Sequence, residues 1–275
     1  VDDVRRGQGI LTERVSQVRL GEAVRILENG GDWTRVYVVH DGYTGWIHTR
    51  ALHLCSEARV REYQAGCAAI VSAVLAEARD ESGALVQKIP FATPVYLKET
   101  REGDAWIELP DGRLWRLTPS DLTAPEFRPT TTPAGIDLTL NLMRRFVGVP
   151  YLWGGRTPYG FDCSGFAGTF YAYMGVTIPR DADQQFVKGE PVEGLLQPGD
   201  LVFFGEISDD DIPGPDARGY IRAARITHVG ISLGGQEFIH ANGTDWGVSY
   251  NSFDPNSKIY GKWLHENYRG ARRFR

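Results

Sequence analysis

Cys163 stands between an acid and a hydroxyl in the run Phe161-Asp162-Cys163-Ser164-Gly165-Phe166. Two histidines, His228 and His240, follow it on strand-like runs. A thiol, a base and a group that orients the base can together carry out acyl transfer through a covalent intermediate. Asp162 predicts an N-cap, its carboxylate accepting free amides of a helix's first turn. Cys163 then sits where unpaired N–H groups and the helix dipole favour a thiolate over a thiol. Gly165 and Gly168 leave the helix little bulk, so another element can approach closely. A lone cysteine is more often a small, inert, buried hydrophobe, and that is the default for Cys55 and Cys67. The cap, the glycines and the downstream histidines set Cys163 apart.

The histidines must share a face to act together. Their position numbers are symmetric about 234. A hairpin turning at Leu233-Gly234-Gly235 therefore puts them directly opposite one another. A two-residue Gly234-Gly235 turn would pair His240 with Val229 and separate the rings. The functional reading thus predicts an odd-length loop or a bulge. His228 then serves as base and later as acid, and His240 holds its second ring nitrogen. The Cys163 backbone N–H and the Tyr151 hydroxyl are candidates to stabilise an oxyanion. A satisfied core phenol is the plainer reading of Tyr151.

The elements that must position these groups are legible in outline. Ile136, Leu140, Met143, Phe146 and Val147 recur at helical spacing, ended by Gly148 and Pro150. Residues 163–174 predict a second helix, with Phe166, Phe170, Tyr171 and Met174 for its buried face. Strand-like runs follow at 200–204, 227–233, 237–241 and 247–250. Helices first and a meander of strands afterwards predict an α+β domain over residues 134–275. Residues 206–225 carry Asp209-Asp210-Asp211 and Pro213-Gly214-Pro215. They read as a solvated surface loop, with a lid as the sharper alternative.

Ahead of this domain lies a degenerate repeat of about 70 residues. Ala23–Leu27, Gly31–Val36 and Asp41–Ile47 are echoed by Thr93–Leu97, Asp104–Leu109 and Asp111–Leu117. Short alternating strands broken by Asp-Gly or Gly-Asp turns predict two small all-β barrels, over 1–56 and 57–124. Residues 68–78 read either as a helix-favouring insert or as a strand with a loop. Three prolines within residues 124–133 predict a linker, placed at 125–133.

Composition narrows the class. The 275 residues suit two or three domains, and a hydrophobic fraction of 42% is ordinary for a globular chain. A net charge of −5 argues against nucleic acid as a partner, since such binding rests on neutralising phosphates. No apolar run approaches the ~20 residues of a membrane span, and a monomer is the expected state. Three cysteines are too few for a disulfide scaffold. Cys55 and Cys67 either pair across a short loop or stay as small thiols. No Cys-x-x-Cys or His-x-x-x-His spacing suggests zinc, and no metal or other cofactor is expected. The chain starts at Val1 without a secretory h-region. A cytoplasmic location and export with the leader removed both stay open.

Six ordered motifs resemble the NlpC family of bacterial cell-wall cysteine peptidases. They are Tyr-Leu-Trp-Gly-Gly at 151–155, Asp-Cys-Ser-Gly-Phe at 162–166, Pro-Arg-Asp-Ala-Asp-Gln-Gln at 179–185, Gln-Pro-Gly-Asp-Leu-Val-Phe-Phe at 197–204, Thr-His-Val-Gly-Ile at 227–231 and Phe-Ile-His-Ala at 238–241. The resemblance implies a papain-like α+β fold with Cys163, His228 and His240 as its triad. With two bacterial SH3-like barrels in front, the chain is similar to γ-D-glutamyl-L-diamino-acid endopeptidases of this family. That implies cleavage of short murein peptides bearing a free N-terminal L-Ala. It further implies Asp162, Ser164, Arg180 and Asp181 as pocket residues, Tyr43 as a wall of the site, and Glu13 as a carboxylate for the peptide ammonium. Ala182 replaces a serine common after Arg-Asp in the family, so one substrate hydrogen bond is expected to be absent. An amidase, a lytic hydrolase of intact wall, and a wall-binding protein anchored by its barrels are the competing readings.

Overall fold

The structure, a computed structural model, describes residues 1–205, 214–215, 221–222 and 225–275. The expected loop or lid at 206–225 lies outside the described residues, apart from two short strands and Arg225. The chain divides into two compact units, Val1–Arg128 and Pro129–Arg275; the division falls in the proline-rich stretch.

The first unit is dominated by β-structure. Strands β1 (Asp2–Arg5), β2 (Arg14–Val18), β3 (Val24–Asn29), β4 (Trp33–Val38) and β5 (Thr44–His48) form a sheet in the order β2-β1-β5-β4-β3. Alternation buries Val36 and Val38 from β4 and Ile47 from β5 against Val4, Val15 and Val18. Helix α1 (Glu57–Gly66), capped by Ser56, leads to the second sheet. It comprises β6 (Ala69–Val71), β7 (Leu75–Arg79), β8 (Leu85–Pro90), β9 (Pro94–Arg101), β10 (Asp104–Glu108), β11 (Leu114–Leu117) and β12 (Leu122–Thr123), ordered β12-β6-β9-β10-β11-β7-β8. Residues 68–78 are thus strand, loop and strand. Ile89, Val95, Ile107 and Leu117 centre its core. Gly42 and Gly112 of the two Asp-Gly turns take φ of +74° and +86°, where a side chain would be strained.

The second unit opens with α2 (Pro133–Met143), capped by Thr132 with Pro133 in its first turn. The short hairpin β13 (Arg156–Thr157) and β14 (Gly160–Phe161) leads into α3 (Cys163–Tyr173), and α4 (Ala182–Lys188) follows. A sheet then runs β15-β22-β16-β19-β20-β21. It is built from β15 (Glu190–Pro191), β16 (Pro198–Gly205), β19 (Ile226–Gly234), β20 (Glu237–Asn242), β21 (Gly247–Ser252) and β22 (Tyr268–Arg273). The backbones of β17 (Gly214–Pro215) and β18 (Ile221–Arg222) pair with each other, and α5 (Lys262–Glu266) precedes β22. Helix α3 packs against β19 and β20. Its Phe166, Phe170, Tyr171 and Met174 are all buried, as the spacing predicts.

The approach expected of the two helix glycines holds for one of them. A Cβ on Gly165 would overlap the Gly155 carbonyl oxygen, so the Tyr-Leu-Trp-Gly-Gly turn lies directly on the first turn of α3. Beside Gly168 there is open space.

Candidate active site

Asp162 caps α3: its Oδ1 accepts from the Gly165 amide at 2.6 Å. The same carboxylate accepts the Gly154 amide through Oδ2 at 2.9 Å. Arg180 grips it from the side, Nη2 to Oδ2 at 2.6 Å and Nη1 to Oδ1 at 3.1 Å. Nη1 also donates to the Ser164 hydroxyl at 2.9 Å. The Arg180 and Asp162 side chains are 3% and 10% exposed, so the pair is screened from water and fixed by hydrogen bonds on both sides. Its place is immediately beside Cys163. Gln185 ties the two segments together, donating to the Ser164 and Pro179 carbonyls.

Cys163 is buried, with its sulfur turned towards β19. The backbone N–H groups of Val229 and Ser164 reach it and favour its charged form. Burial nevertheless dominates and, with the Asp162 charge, pushes the thiol up to about 12. His228 is held well below its ordinary range, by burial first and then by His240. His240 is lowered to about 4, again chiefly by burial. All three shifts run towards the uncharged forms.

The two rings meet as the chemistry requires, by a different register from the one expected. Ile231 pairs with Ile239 and Ser232 with Phe238, and a bulge follows before Gly234 pairs with Glu237. That register sets Gly230, not His228, opposite His240, and the histidines are diagonal neighbours on one face. Gly230 supplies the room: a Cβ there would crowd the His240 Cβ and the Phe238 ring. His228 Nε2 lies 2.6 Å from His240 Nδ1. The Phe204 ring flanks His228, and Phe238 flanks His240.

Tyr151 joins the group. Burial raises its phenol above the ordinary range, with Cys163 and Asp162 adding to the rise and Arg180 opposing it. Asp181 starts α4 in a reciprocal capping box with Gln184. Ala182, the departure from the family serine, is the buried first residue of that helix. The structure thus gathers Tyr151, Asp162, Cys163, Ser164, Arg180, His228 and His240, with Asp181 next in chain to Arg180. Glu13 and Tyr43 belong to the first unit. Tyr43 is 4% exposed and packs with Val36, Val38 and Ile47 in the core of the first sheet. Glu13 is paired with Arg6 at 2.5 Å. Cys55 is exposed and Cys67 half-buried, and both are free thiols; burial pushes Cys67 up to about 11.

Two asparagines absent from the sequence reading complete the surroundings of His240. Asn251 Oδ1 lies 2.8 Å from His240 Nε2, and Asn242 Nδ2 lies 3.1 Å from it. Asn242 occupies the position opposite His228 in the observed register. Amides carry no titration signature, and only this register could have pointed to Asn242. Among the described residues no helix is long and apolar enough to cross a membrane, and no cluster of His, Cys, Asp and Glu could hold a metal.

Comparison with known proteins agrees with this geometry. The NlpC/P60 family matches residues 148–273, and the bacterial dipeptidyl-peptidase SH3 domain matches residues 4–52. The γ-D-glutamyl-L-lysine dipeptidyl-peptidase of Bacillus cereus is 28% identical over 94% of this chain and 74% of its own length. That of Bacillus subtilis is 28% identical over 93% and 81%. A crystal structure of an NlpC/P60 family protein from Bacillus cereus superposes with a TM-score of 0.74. It covers 94% of this chain and 82% of that one at 28% identity. Residues 148–273 are therefore an NlpC/P60 cysteine-peptidase domain, carried behind an all-β region that begins with a bacterial SH3 domain.

Proposed function

We propose that the chain hydrolyses the amide between γ-D-glutamate and an L-diamino acid in short murein peptides with a free N-terminal L-Ala. The observation that carries this reading is the buried Asp162–Arg180–Ser164 network, fixed against the first turn of the helix that bears Cys163, with His228 and His240 in line across β19 and β20. The two relatives that match nearly the whole chain are named for γ-D-glutamyl-L-lysine cleavage.

The chemistry follows from the groups present. His228 takes the Cys163 proton, and the thiolate attacks the γ-carbonyl carbon. The Cys163 N–H and the Tyr151 hydroxyl stabilise the oxyanion. The C–N bond breaks as His228 returns the proton to the leaving amine, leaving a thioester. Water, deprotonated by His228, attacks the thioester; the C–S bond breaks and the thiol regains its proton. Arg180 and Ser164 bind substrate carboxylate or carbonyl oxygen at the edge of the network. Asp181, next in chain to Arg180, is the candidate carboxylate for the peptide ammonium.

Incubation with L-Ala-γ-D-Glu-meso-diaminopimelate, its L-Lys analogue and their N-acetylated forms, followed by mass spectrometry, tests this. Cys163→Ala is the control. Release of the diamino acid from the free-amine peptides alone supports the proposal. Equal cleavage of the acetylated forms would favour a lytic hydrolase that does not read the N-terminus. Cleavage of none would move an amidase or a wall-binding protein ahead.

A further inference from the structure

The neighbours of His240 determine which of its nitrogens carries the proton. Asn251 donates through Nδ2 to the Ile259 carbonyl at 2.9 Å, which fixes its amide orientation and turns Oδ1 towards His240 Nε2. An amide oxygen only accepts. Asn242 faces the same ring nitrogen with Nδ2, but both of its amide hydrogens are directed elsewhere. One goes to Asp245 Oδ2 at 3.0 Å and the other to Ser249 Oγ at 2.8 Å. Its orientation is fixed in turn, because Asn242 Oδ1 accepts from the Asp245 amide. Ser249 spends its own hydrogen on Asp245 at 2.7 Å. The hydrogens are assigned here from the bonding network, and only one arrangement satisfies every member.

We infer that Asn251 is a positioning residue that locks His240 as its Nε2–H tautomer, so that His240 Nδ1 accepts from His228 Nε2 and leaves His228 Nδ1 as the base for Cys163. The relay runs Asn251 Oδ1, His240 Nε2–H, His240 Nδ1, His228 Nε2–H, His228 Nδ1. Without the acceptor at Oδ1, His240 can place its proton on Nδ1. Two N–H groups would then face each other across 2.6 Å, and a protonated His228 would lose the partner that stabilises it. The charged and titratable groups facing the relay are His228 from β19, Asp245 from the turn after β20, and Cys163 on α3 with Asp162 and Arg180 behind it. None of these can replace the acceptor at Nε2 without displacing an amide.

The inference rests on the proposed thiol chemistry for the identity of the nucleophile, so the test does not use the proposed substrate. First, ¹⁵N NMR of the full wild-type chain reads the His240 tautomer. Protonation at Nε2 is expected, and protonation at Nδ1 overturns the inference. Second, the rate of Cys163 alkylation by iodoacetamide is followed against pH in wild type, Asn251→Leu and Asn251→Asp. The leucine variant is expected to react about tenfold more slowly at neutral pH, the equivalent of one ordinary hydrogen bond. Its profile should shift to higher pH, because thiolate formation then lacks a stabilised imidazolium. The aspartate variant keeps an acceptor and adds a negative charge, so it should restore the rate with a profile at or below the wild-type pH. Equal profiles for the leucine and aspartate variants overturn the relay. If wild-type Cys163 shows no pH-dependent alkylation, the thiol-hydrolase reading falls, and the relay with it.

Discussion

Arg180 and Asp162 meet side by side, two nitrogens on two oxygens, under the first turn of the helix that begins with Cys163. The carboxylate also caps that helix and holds the Gly154 amide. One ion pair therefore joins the turn at Gly154, the start of α3 and the segment before α4. Removing one partner of a buried pair leaves the other charge uncompensated, which costs about 3–5 kcal/mol. Arg180→Ala should destabilise the full chain by that order, seen as a lower denaturant midpoint. Arg180→Lys keeps the charge but cannot reproduce the two-pronged grip. It should recover much of the stability and little of the activity. Equal activity in the lysine variant would show that the geometry of the guanidinium is not used.

The two glycines of α3 should respond in opposite directions to the same change. Gly165→Ala forces a methyl into the Gly155 carbonyl, which is backbone and cannot turn aside. The helix must shift, and peptidase activity should fall by a hundredfold or more, about what a 1 Å misplacement costs. Gly168 faces open space inside the same helix. Gly168→Ala should stabilise by about 0.5–1 kcal/mol through helix propensity and leave turnover unchanged. Thermal midpoints and turnover of both variants decide the matter. A tolerated Gly165→Ala would mean the close approach is not needed.

What the sequence displays and what it hides divides along physical lines. The core of α3 is visible because four large apolar residues fall on one face. Strands β16, β19, β20 and β21 are visible because their apolar runs are bounded by glycine and turn residues. Strand β22 escapes the reading, although it pairs along β16. It carries three arginines whose charges are answered only in the fold: Arg273 by Asp200, Arg272 by the Phe186 carbonyl and ring, and Arg269 by the Gly205 carbonyl. The sharing of one face by His228 and His240 is legible from parity, but the offset of two residues depends on where the bulge falls. Helix α1 is polar on most of its surface and buries only Tyr63, so periodicity could not announce it.

A second buried ion pair acts within the first unit. Arg19 follows β2 and binds Glu22 through Nε and Nη2 at 3.0 and 2.8 Å, while Nη1 donates to the Ala92 carbonyl at 2.7 Å. It therefore ties the turn after β2 to the turn between β8 and β9, at the wall of a cavity of about 560 Å³ that Tyr63 and Leu109 also line. Arg19→Met should cost about 3–5 kcal/mol, because the buried Glu22 carboxylate then loses the guanidinium that holds it through two nitrogens. Adding Glu22→Met removes the buried carboxylate as well, so the double variant should be more stable than the single one. Chemical denaturation of both variants tests the order. A double variant less stable than Arg19→Met would show that the cost lies in lost packing instead.

The shifts of the buried histidines and thiol set how stability should vary with pH. His240 is lowered from 6.5 to about 4 in the folded chain, and His228 moves in the same direction. Below about pH 6.5 the unfolded chain takes up protons that the folded chain refuses. The contribution of His240 is thus fully present above pH 6.5, lost as pH falls through 4, and worth on the order of 3 kcal/mol. Cys163 acts with the opposite sign. Its thiol is raised from 9 to about 12, so its contribution is whole below pH 9 and fades as pH rises through 12. Calorimetric midpoints of wild type should fall on both sides of a plateau between about pH 6.5 and 9. His240→Gln removes one titrating group and should flatten the acid side, and Cys163→Ser the alkaline side. Curves that stay parallel to wild type in both variants would mean that other groups set the pH dependence and that the buried histidines fold already charged.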